Sequence, residues 1–107
     1  MRLVGTDLAE VYQNEFNVLN KQNTSGLYLD GSTGYYVEAN EFFGPSNTSA
    51  NGPVGIVVRN SGIDENYVTN NYMQDLRTAA AFFDDNDGPG LNDGFQYLCH
   101  EMANNHF

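Results

Sequence analysis

Short stretches of alternating apolar and polar side chains run along the chain between turn-forming residues. Residues 26–31 (GLYLDG) show this alternation, and residues 55–60 (GIVVRN) repeat the stretch. A period of two is typical of β-strands, because successive side chains of a strand point to opposite faces. Each stretch is followed by a turn and then by a second apolar segment, at residues 35–37 and 67–68. The pattern therefore predicts a pair of strands that occurs twice in full.

A second pattern occurs four times: an apolar residue, two spacers, an asparagine (a histidine in the fourth copy), one spacer and then an aromatic residue or methionine. Its copies are centred on Asn14, Asn40, Asn71 and His100, at spacings of 26, 31 and 29 residues. Self-similarity at such a period is typical of stacked repeats. The sequence therefore predicts an all-β fold, a parallel β-helix or β-solenoid of about three to four coils, forming one domain over residues 1–107.

The central position of each copy has a predicted structural role. Stacked asparagines hydrogen-bond amide to amide along a coil axis, and asparagine tolerates the left-handed backbone of a tight turn. We therefore expect Asn14, Asn40 and Asn71 to lie one above another, roughly 4.8 Å apart. His100 would continue this ladder with a ring in place of an amide.

Two segments also fit a helix. In residues 6–19, apolar side chains recur at helical spacing, and residues 75–83 contain three consecutive alanines. We favour strands in both segments, because one physical account then covers all four copies of the pattern. The alternative is a small acidic α+β protein that acts as an inhibitor or a nucleic-acid mimic.

Charge narrows the choice of partners. Lys and Arg number 4 and Asp and Glu number 14, so the formal net charge is −10. This balance argues against binding nucleic acid through its phosphates, which requires clustered basic residues. No apolar run approaches the roughly 18 residues of a membrane span, and no signal peptide is recognisable, so membrane insertion is not expected. Cys99 is the only cysteine, which excludes an intramolecular disulfide.

Candidate chemistry is sparse. The acidic stretch that contains Asp84, Asp85 and Asp87 is similar to a calcium loop, but Phe83 stands where the first carboxylate ligand belongs. These aspartates are therefore weak calcium candidates, and no other cofactor is predicted. Because nucleophile elbows, phosphate loops and dinucleotide fingerprints are absent from the sequence, we predict no catalytic residue.

An enzymatic alternative remains open nonetheless. Polysaccharide lyases with a β-helical fold need a basic residue, for which Arg59 and Arg77 are the candidates within the repeats. Glycoside hydrolysis needs two carboxylates, whose separation a sequence does not give. The carboxylates available within the repeats are Asp30, Glu38, Glu41, Asp64 and Glu65.

Residues 55–62, 67–71 and especially 94–100 (GFQYLCH) resemble right-handed parallel β-helix repeats. They are similar to repeats of large secreted or surface-anchored proteins of Bacteroidetes-type bacteria, in which a Gly-Leu-Gln-x-x-Cys-Asn strand followed by x-Phe recurs. Phe95, His100 and Met102 depart from that pattern. The resemblance implies an extracellular or cell-surface protein that serves in adhesion or glycan binding, and it implies that the chain is either a fragment or a minimal stand-alone version.

The leading hypothesis is accordingly a non-enzymatic extracellular module, which acts as a scaffold or in adhesion or binds a surface polysaccharide. Aromatic side chains stack on sugar rings, for which Tyr28 and Tyr35 are the candidates, and the alternative role of each is to fill a rung of the solenoid core. Open strand edges at the two ends of a short stack predict end-to-end self-association.

Overall fold

The computed structural model describes residues 1–45, 52–86 and 94–105. Within these ranges the chain is all-β and contains no helix. The strands are β1 (Arg2–Val4), β2 (Glu10–Tyr12), β3 (Glu15–Asn17), β4 (Ser25–Asp30), β5 (Tyr36–Glu38), β6 (Glu41–Phe43), β7 (Val54–Arg59), β8 (Asn66–Thr69), β9 (Tyr72–Gln74), β10 (Thr78–Phe83), β11 (Phe95–Leu98) and β12 (Glu101–Ala103).

The strands form three parallel four-stranded sheets, and every third strand belongs to the same sheet. Sheet 1 has the order β1-β4-β7-β10, sheet 2 the order β2-β5-β8-β11, and sheet 3 the order β3-β6-β9-β12. Each successive coil of the chain thus adds one strand to each sheet. The fold is a parallel β-solenoid of about three turns, which confirms the predicted architecture.

The sequence repeats set the strand register. Val11, Val37, Val68 and Tyr97 pair in sequence across sheet 2, and Val37 and Val68 are fully buried. In sheet 3, Phe16 and Phe42 are paired, and their rings stack with centroids 4.6 Å apart. Aliphatic and aromatic side chains suit these columns because each packs against its equivalents in the coils above and below. The core is therefore a set of inward columns shared by the three sheets.

The turns between sheets 2 and 3 differ from the expectation. The residue with the left-handed backbone is Gln13, Ala39, Asn70 or Cys99, with φ between 52° and 57°. It lies one position before the asparagine or histidine of each copy. The expectation that the asparagines themselves adopt the left-handed conformation is therefore wrong. Their side chains contribute to the turn through hydrogen bonds.

The helical alternative is wrong for both segments. Residues 6–19 contain β2 and β3, and residues 75–83 contain β10. Leu8 and Leu19 contributed to the helical spacing, yet they are 73% and 65% exposed. The α+β fold that rested on these helices is therefore excluded for this chain.

Close approach of the coils requires glycine at one corner. A Cβ atom added to Gly44 would lie 2.1 Å from the backbone oxygen of Asp75 in the next coil. The Gly44 N–H donates to the Gln74 carbonyl at 2.8 Å, which fixes this approach. Any side chain at position 44 would force the two coils apart.

Candidate functional site

The asparagine positions lie in one hydrogen-bonded column. The Nδ2 of Asn14 donates to the Oδ1 of Asn40 at 3.1 Å, and the Nδ2 of Asn40 donates to the Oδ1 of Asn71 at 3.0 Å. Asn40 and Asn71 are buried, and each also donates to a backbone carbonyl of the preceding coil, Asn40 to that of Val11 and Asn71 to that of Val37. The column ties consecutive coils together from inside, so its role is structural.

His100 closes the column with both ring nitrogens engaged. Its Nδ1 accepts the Asn71 N–H at 3.3 Å, so the neutral ring carries its proton on Nε2, which lies 3.0 Å from the Val68 carbonyl oxygen. The ring also stacks on Tyr97 at a centroid distance of 3.7 Å. Burial lowers the pKa of His100, and the two backbone contacts oppose that shift. A neutral ring held in this way offers no free nitrogen to a metal ion or a substrate.

The two tyrosines predicted to stack on sugars lie in different environments. Tyr35 is fully buried, its hydroxyl hydrogen-bonds the Ser61 hydroxyl at 2.8 Å, and burial raises its pKa to about 12. Its ring is a core residue and presents no face to a ligand, which corrects the expectation. Tyr28 lies on the outer face of sheet 1, where the Arg2 guanidinium covers it at 5.1 Å from the ring centroid.

An exposed aromatic surface lies instead on the outer face of sheet 2. Tyr36 and Tyr67 are register partners, and their rings stack at 4.9 Å with an interplanar angle of 19°. Glu10 is in register with Tyr36 on its other side, while Tyr12 is in register with Glu38. We call these five residues the tyrosine platform. Tyr12 is 55% and Tyr36 49% exposed, so both side chains are accessible from solvent.

Strand alternation explains this placement. Val37 points into the core, so its neighbour Tyr36 points outward and the next residue back, Tyr35, points inward. Tyr67 precedes the buried Val68 and is outward for the same reason. Sequence reasoning missed the platform, although the same alternation applied to the Tyr-Val pairs would have located it.

Polar groups border the platform and hold it in place. The Asn70 Nδ2 donates to a carboxylate oxygen of Glu38 at 3.2 Å, and the Tyr67 hydroxyl donates to Glu65 at 3.1 Å. The hydrogen bond to Glu65 is the main cause that raises the pKa of Tyr67. Glu10, Tyr12, Tyr36 and Glu38 surround a shallow depression of about 190 Å³. The surface thus combines aromatic faces with carboxylate acceptors.

A second concavity lies on the outer face of sheet 1. It has a volume of about 420 Å³ and an apolar floor that includes Tyr28, Val57 and Phe83. Its aromatic rings are less available than those of the platform, because the guanidinium groups of Arg2 and Arg59 lie over Tyr28 and Phe83.

The acidic calcium candidates show no cation site in the described residues. Asp84 forms an ion pair with Arg59 at 2.8 Å, and Asp87 lies outside the described residues. The Asp85 carbonyl oxygen accepts the Gly62 N–H at 3.1 Å, so this stretch is tied to the preceding coil. Across the described ranges, no three His, Cys, Asp or Glu side chains cluster as a metal centre would require.

Three of the five carboxylates considered for glycoside hydrolysis lie on different sheets. Asp30 lies on sheet 1, Glu38 on sheet 2 and Glu41 on sheet 3, so no two of these three share a sheet. Arg59, a candidate base for lyase chemistry, is bound to Asp84, and this hydrogen bond raises its pKa further. Asp30, Glu38 and Glu41 therefore lie on three different sheets, and Arg59 is engaged by Asp84.

Comparison of the chain with protein-family models, curated proteins and solved structures finds no match. Its class is defined by the fold alone, and the chain is a parallel β-solenoid. In the part of the chain that the structure describes, no helix is long and apolar enough to cross a bilayer.

Proposed function

We propose that this β-solenoid is a non-enzymatic extracellular module that binds polysaccharide through the tyrosine platform. The observation that carries the proposal is the stacked Tyr36–Tyr67 pair on the outer face of a regular parallel sheet, in which Tyr36 is 49% exposed and Tyr67 is partly buried. Exposed aromatic side chains in contact with one another mark an interaction surface more often than isolated ones do.

The platform has the two chemical features that a sugar requires. The C–H face of a pyranose ring is apolar and packs on an aromatic ring, while its hydroxyl groups donate hydrogen bonds to carboxylates. Tyr36 and Tyr67 supply the rings, and Glu10 and Glu38 supply the acceptors on the adjacent register positions. Hydrogen bonds to an ionised acceptor are stronger than neutral ones, so the glutamates would fix the orientation of the sugar.

Charge selects the class of polysaccharide. The chain carries a net charge of −10, and two carboxylates belong to the platform itself. Uronate polymers and sulfated glycans would be repelled by this surface. We therefore propose a neutral, hydroxyl-rich polysaccharide as the ligand.

Regular spacing favours a polymer over a single sugar. Adjacent coils place equivalent outward side chains about 4.8 Å apart along the solenoid. Tyr36 and Tyr67 therefore form a short row along the coil axis, and a polymer is able to contact several positions of such a row at once. The resemblance of the repeats to right-handed β-helix proteins of Bacteroidetes-type bacteria supports an extracellular or cell-surface role in adhesion.

Affinity electrophoresis or a glycan array of neutral polysaccharides tests the proposal. We expect wild-type protein to bind at least one neutral polymer, and Tyr36→Ala and Tyr67→Ala to weaken binding by about tenfold or more. Tyr28→Ala is the matched control, because Tyr28 is a tyrosine on the outer face of a different sheet, and it should bind as wild type does.

Two results would overturn the proposal. One is the absence of binding across neutral polysaccharides, and the other is binding that the platform variants leave unchanged. Release of unsaturated ends from a uronate polymer, followed by absorbance, would instead support the polysaccharide lyase alternative.

A further inference from the structure

One end of the described solenoid exposes positions that are buried in the inner coils. β10, β11 and β12 form one end, and each pairs with a neighbouring strand on one side only. Met102 points inward and is 50% exposed, whereas Met73, its register partner in the preceding coil, is fully buried. Phe82 is 41% exposed, although its register partner Val58 is fully buried. The inner columns are therefore open at this end.

The asparagine column has a direction. The backbone N–H of Asn14 donates to the Oδ1 of Asn40 at 2.9 Å, that of Asn40 to Asn71 at 2.9 Å, and that of Asn71 to the Nδ1 of His100 at 3.3 Å. Each coil thus donates to the side chain of the coil that follows it. A second column has the same direction, since the Leu76 N–H donates to the Oδ1 of Asn105 at 3.0 Å.

This direction leaves complementary groups at the two ends. Among the described residues, no donor contacts the Oδ1 of Asn14 at the first coil, and no acceptor contacts the backbone N–H of His100 at the last. A donor at one end and an acceptor at the other are the two halves of one further rung. Two equal ends would not have this property.

We propose that a second copy of this chain stacks head to tail on the first, with its β1, β2 and β3 on β10, β11 and β12. The register that already relates the coils places Leu3 of the incoming copy on Phe82, Val11 on Tyr97 and Phe16 on Met102. The same register brings the His100 N–H to the Asn14 Oδ1 of the incoming copy. The inference is independent of polysaccharide binding.

The outer positions at the two ends also match. Phe83 and Leu98 are 49% and 48% exposed at one end, and Val4 and Tyr12 are both 55% exposed at the other. Continuing the register places Val4 on Phe83 and Tyr12 on Leu98. Apolar side chains that are exposed in the single chain would therefore be covered in the stack, which favours association.

One outer column would bring two like charges together across the contact, which provides a specific test. Glu101 would face Glu15 of the incoming copy, because both belong to the outer column that contains Glu41 and Tyr72. Like charges on directly opposite strand positions are destabilising, and salt screens them. Association should therefore strengthen as ionic strength rises.

The contact joins different surfaces, so it does not close on itself. Such heterologous association produces open linear assemblies, whereas a contact between two identical ends produces a dimer and stops. The size distribution of the assemblies in solution thus distinguishes head-to-tail stacking from a dimer that forms through two identical ends.

Sedimentation velocity on the 107-residue chain over a wide range of concentration and salt tests the proposal. We expect a series of species that grows with protein concentration and with salt. Met102→Lys places a charge in the open inner column and should abolish association, and circular dichroism verifies that this variant is folded. Glu101→Lys replaces a repulsive pair with an attractive one, and it should strengthen association several-fold and weaken its dependence on salt.

Three results would overturn the proposal. The first is a monomer at all concentrations for both wild type and Glu101→Lys. The second is a dimer that does not grow further, which would indicate contact between identical ends. The third is assembly that neither Met102→Lys nor Glu101→Lys changes, which would place the interface elsewhere, for example on the outer faces of the sheets.

Discussion

Replacing Asn40 with leucine tests the asparagine column at its buried centre. The Asn40 side chain accepts hydrogen bonds from the backbone N–H and the Nδ2 of Asn14, at 2.9 and 3.1 Å. It donates to the Val11 carbonyl at 2.8 Å and to the Oδ1 of Asn71 at 3.0 Å. Leucine has a similar size and makes none of these contacts, so the perturbation removes four hydrogen bonds that join three coils.

The size of the destabilisation follows from the groups that lose the Asn40 side chain as a hydrogen-bond partner. Two of them are backbone groups, the Val11 carbonyl and the Asn14 N–H, and the Asn71 Oδ1 keeps the backbone N–H of Asn40 as a donor. A buried polar group left without a partner costs about 1–3 kcal/mol, so the free energy of unfolding should fall by about 2–6 kcal/mol. Domains of this size are stable by only about 5–15 kcal/mol, so the melting temperature should fall by at least about 10 °C.

Thermal and urea denaturation followed by circular dichroism measure this effect, with Asn14→Leu as the matched control. Asn14 belongs to the same column, but it is exposed, and its side chain donates only to the Asn40 Oδ1 and the Tyr12 carbonyl. Its loss should cost about 1 kcal/mol or less, because Asn40 keeps the Asn14 backbone N–H. Equal melting temperatures for the two variants would refute the assignment of a structural role to the buried column.

Three further predictions concern the same coils. Burial lowers the pKa of His100 below its usual 6.5, so the folded state keeps the ring neutral, and stability should be lost as pH falls from about 7 through the folded pKa. His100→Asn should remove this contribution to the pH dependence of the unfolding free energy measured in urea. An unchanged pH dependence would contradict the prediction. Phe42→Ala empties a fully buried position and should lower the free energy of unfolding by about 3–5 kcal/mol in chemical denaturation. A decrease of less than about 1 kcal/mol, which is typical of an exposed site, would show that the column containing Phe42 is not packed. Gly44→Ala should cost about 1–3 kcal/mol because its Cβ would lie 2.1 Å from the Asp75 carbonyl oxygen, and a wild-type melting temperature would argue against this close approach.

The fold was predictable because the repeats carry the register. The two stretches that look alike in the sequence are the paired strands β4 and β7, with Leu27 opposite Ile56 and Leu29 opposite Val58. Equivalent positions of successive coils lie in one column, which side chains of similar size fill well. Packing therefore requires the same likeness between coils that the sequence repeat shows. Sequence repeats and strand pairing therefore report the same constraint.

The turns were less predictable. Gln13, Ala39 and Cys99 take the left-handed conformation, although none of these residue types favours it. The hydrogen bonds of the following residue and the pairing of the flanking strands outweigh the local preference, at a cost of roughly 1–2 kcal/mol for each residue. Local propensity gave the correct region for the turn and the wrong position within it.

The candidate site was missed for a different reason. Tyr35 and Tyr36 are neighbours, and only the direction of the strand decides which ring is buried. The partner of Tyr35, Ser61, is 26 residues away, so the hydrogen bond that marks Tyr35 as a core residue is visible only once the coils are stacked. Tyr36 and Tyr67 become neighbours by the same stacking, and the sequence separates them by a whole coil.

Nuclear Overhauser effects from the side-chain amide of Asn40 test the central claim most directly, namely that consecutive coils stack in one register. The structure places the Asn40 Nδ2 2.8 Å from the Val11 carbonyl oxygen and 3.0 Å from the Oδ1 of Asn71. We predict contacts from these amide protons to residues of both the preceding and the following coil. Contacts confined to neighbours three or four positions away along the chain, with none to the other coils, would contradict the stacked solenoid.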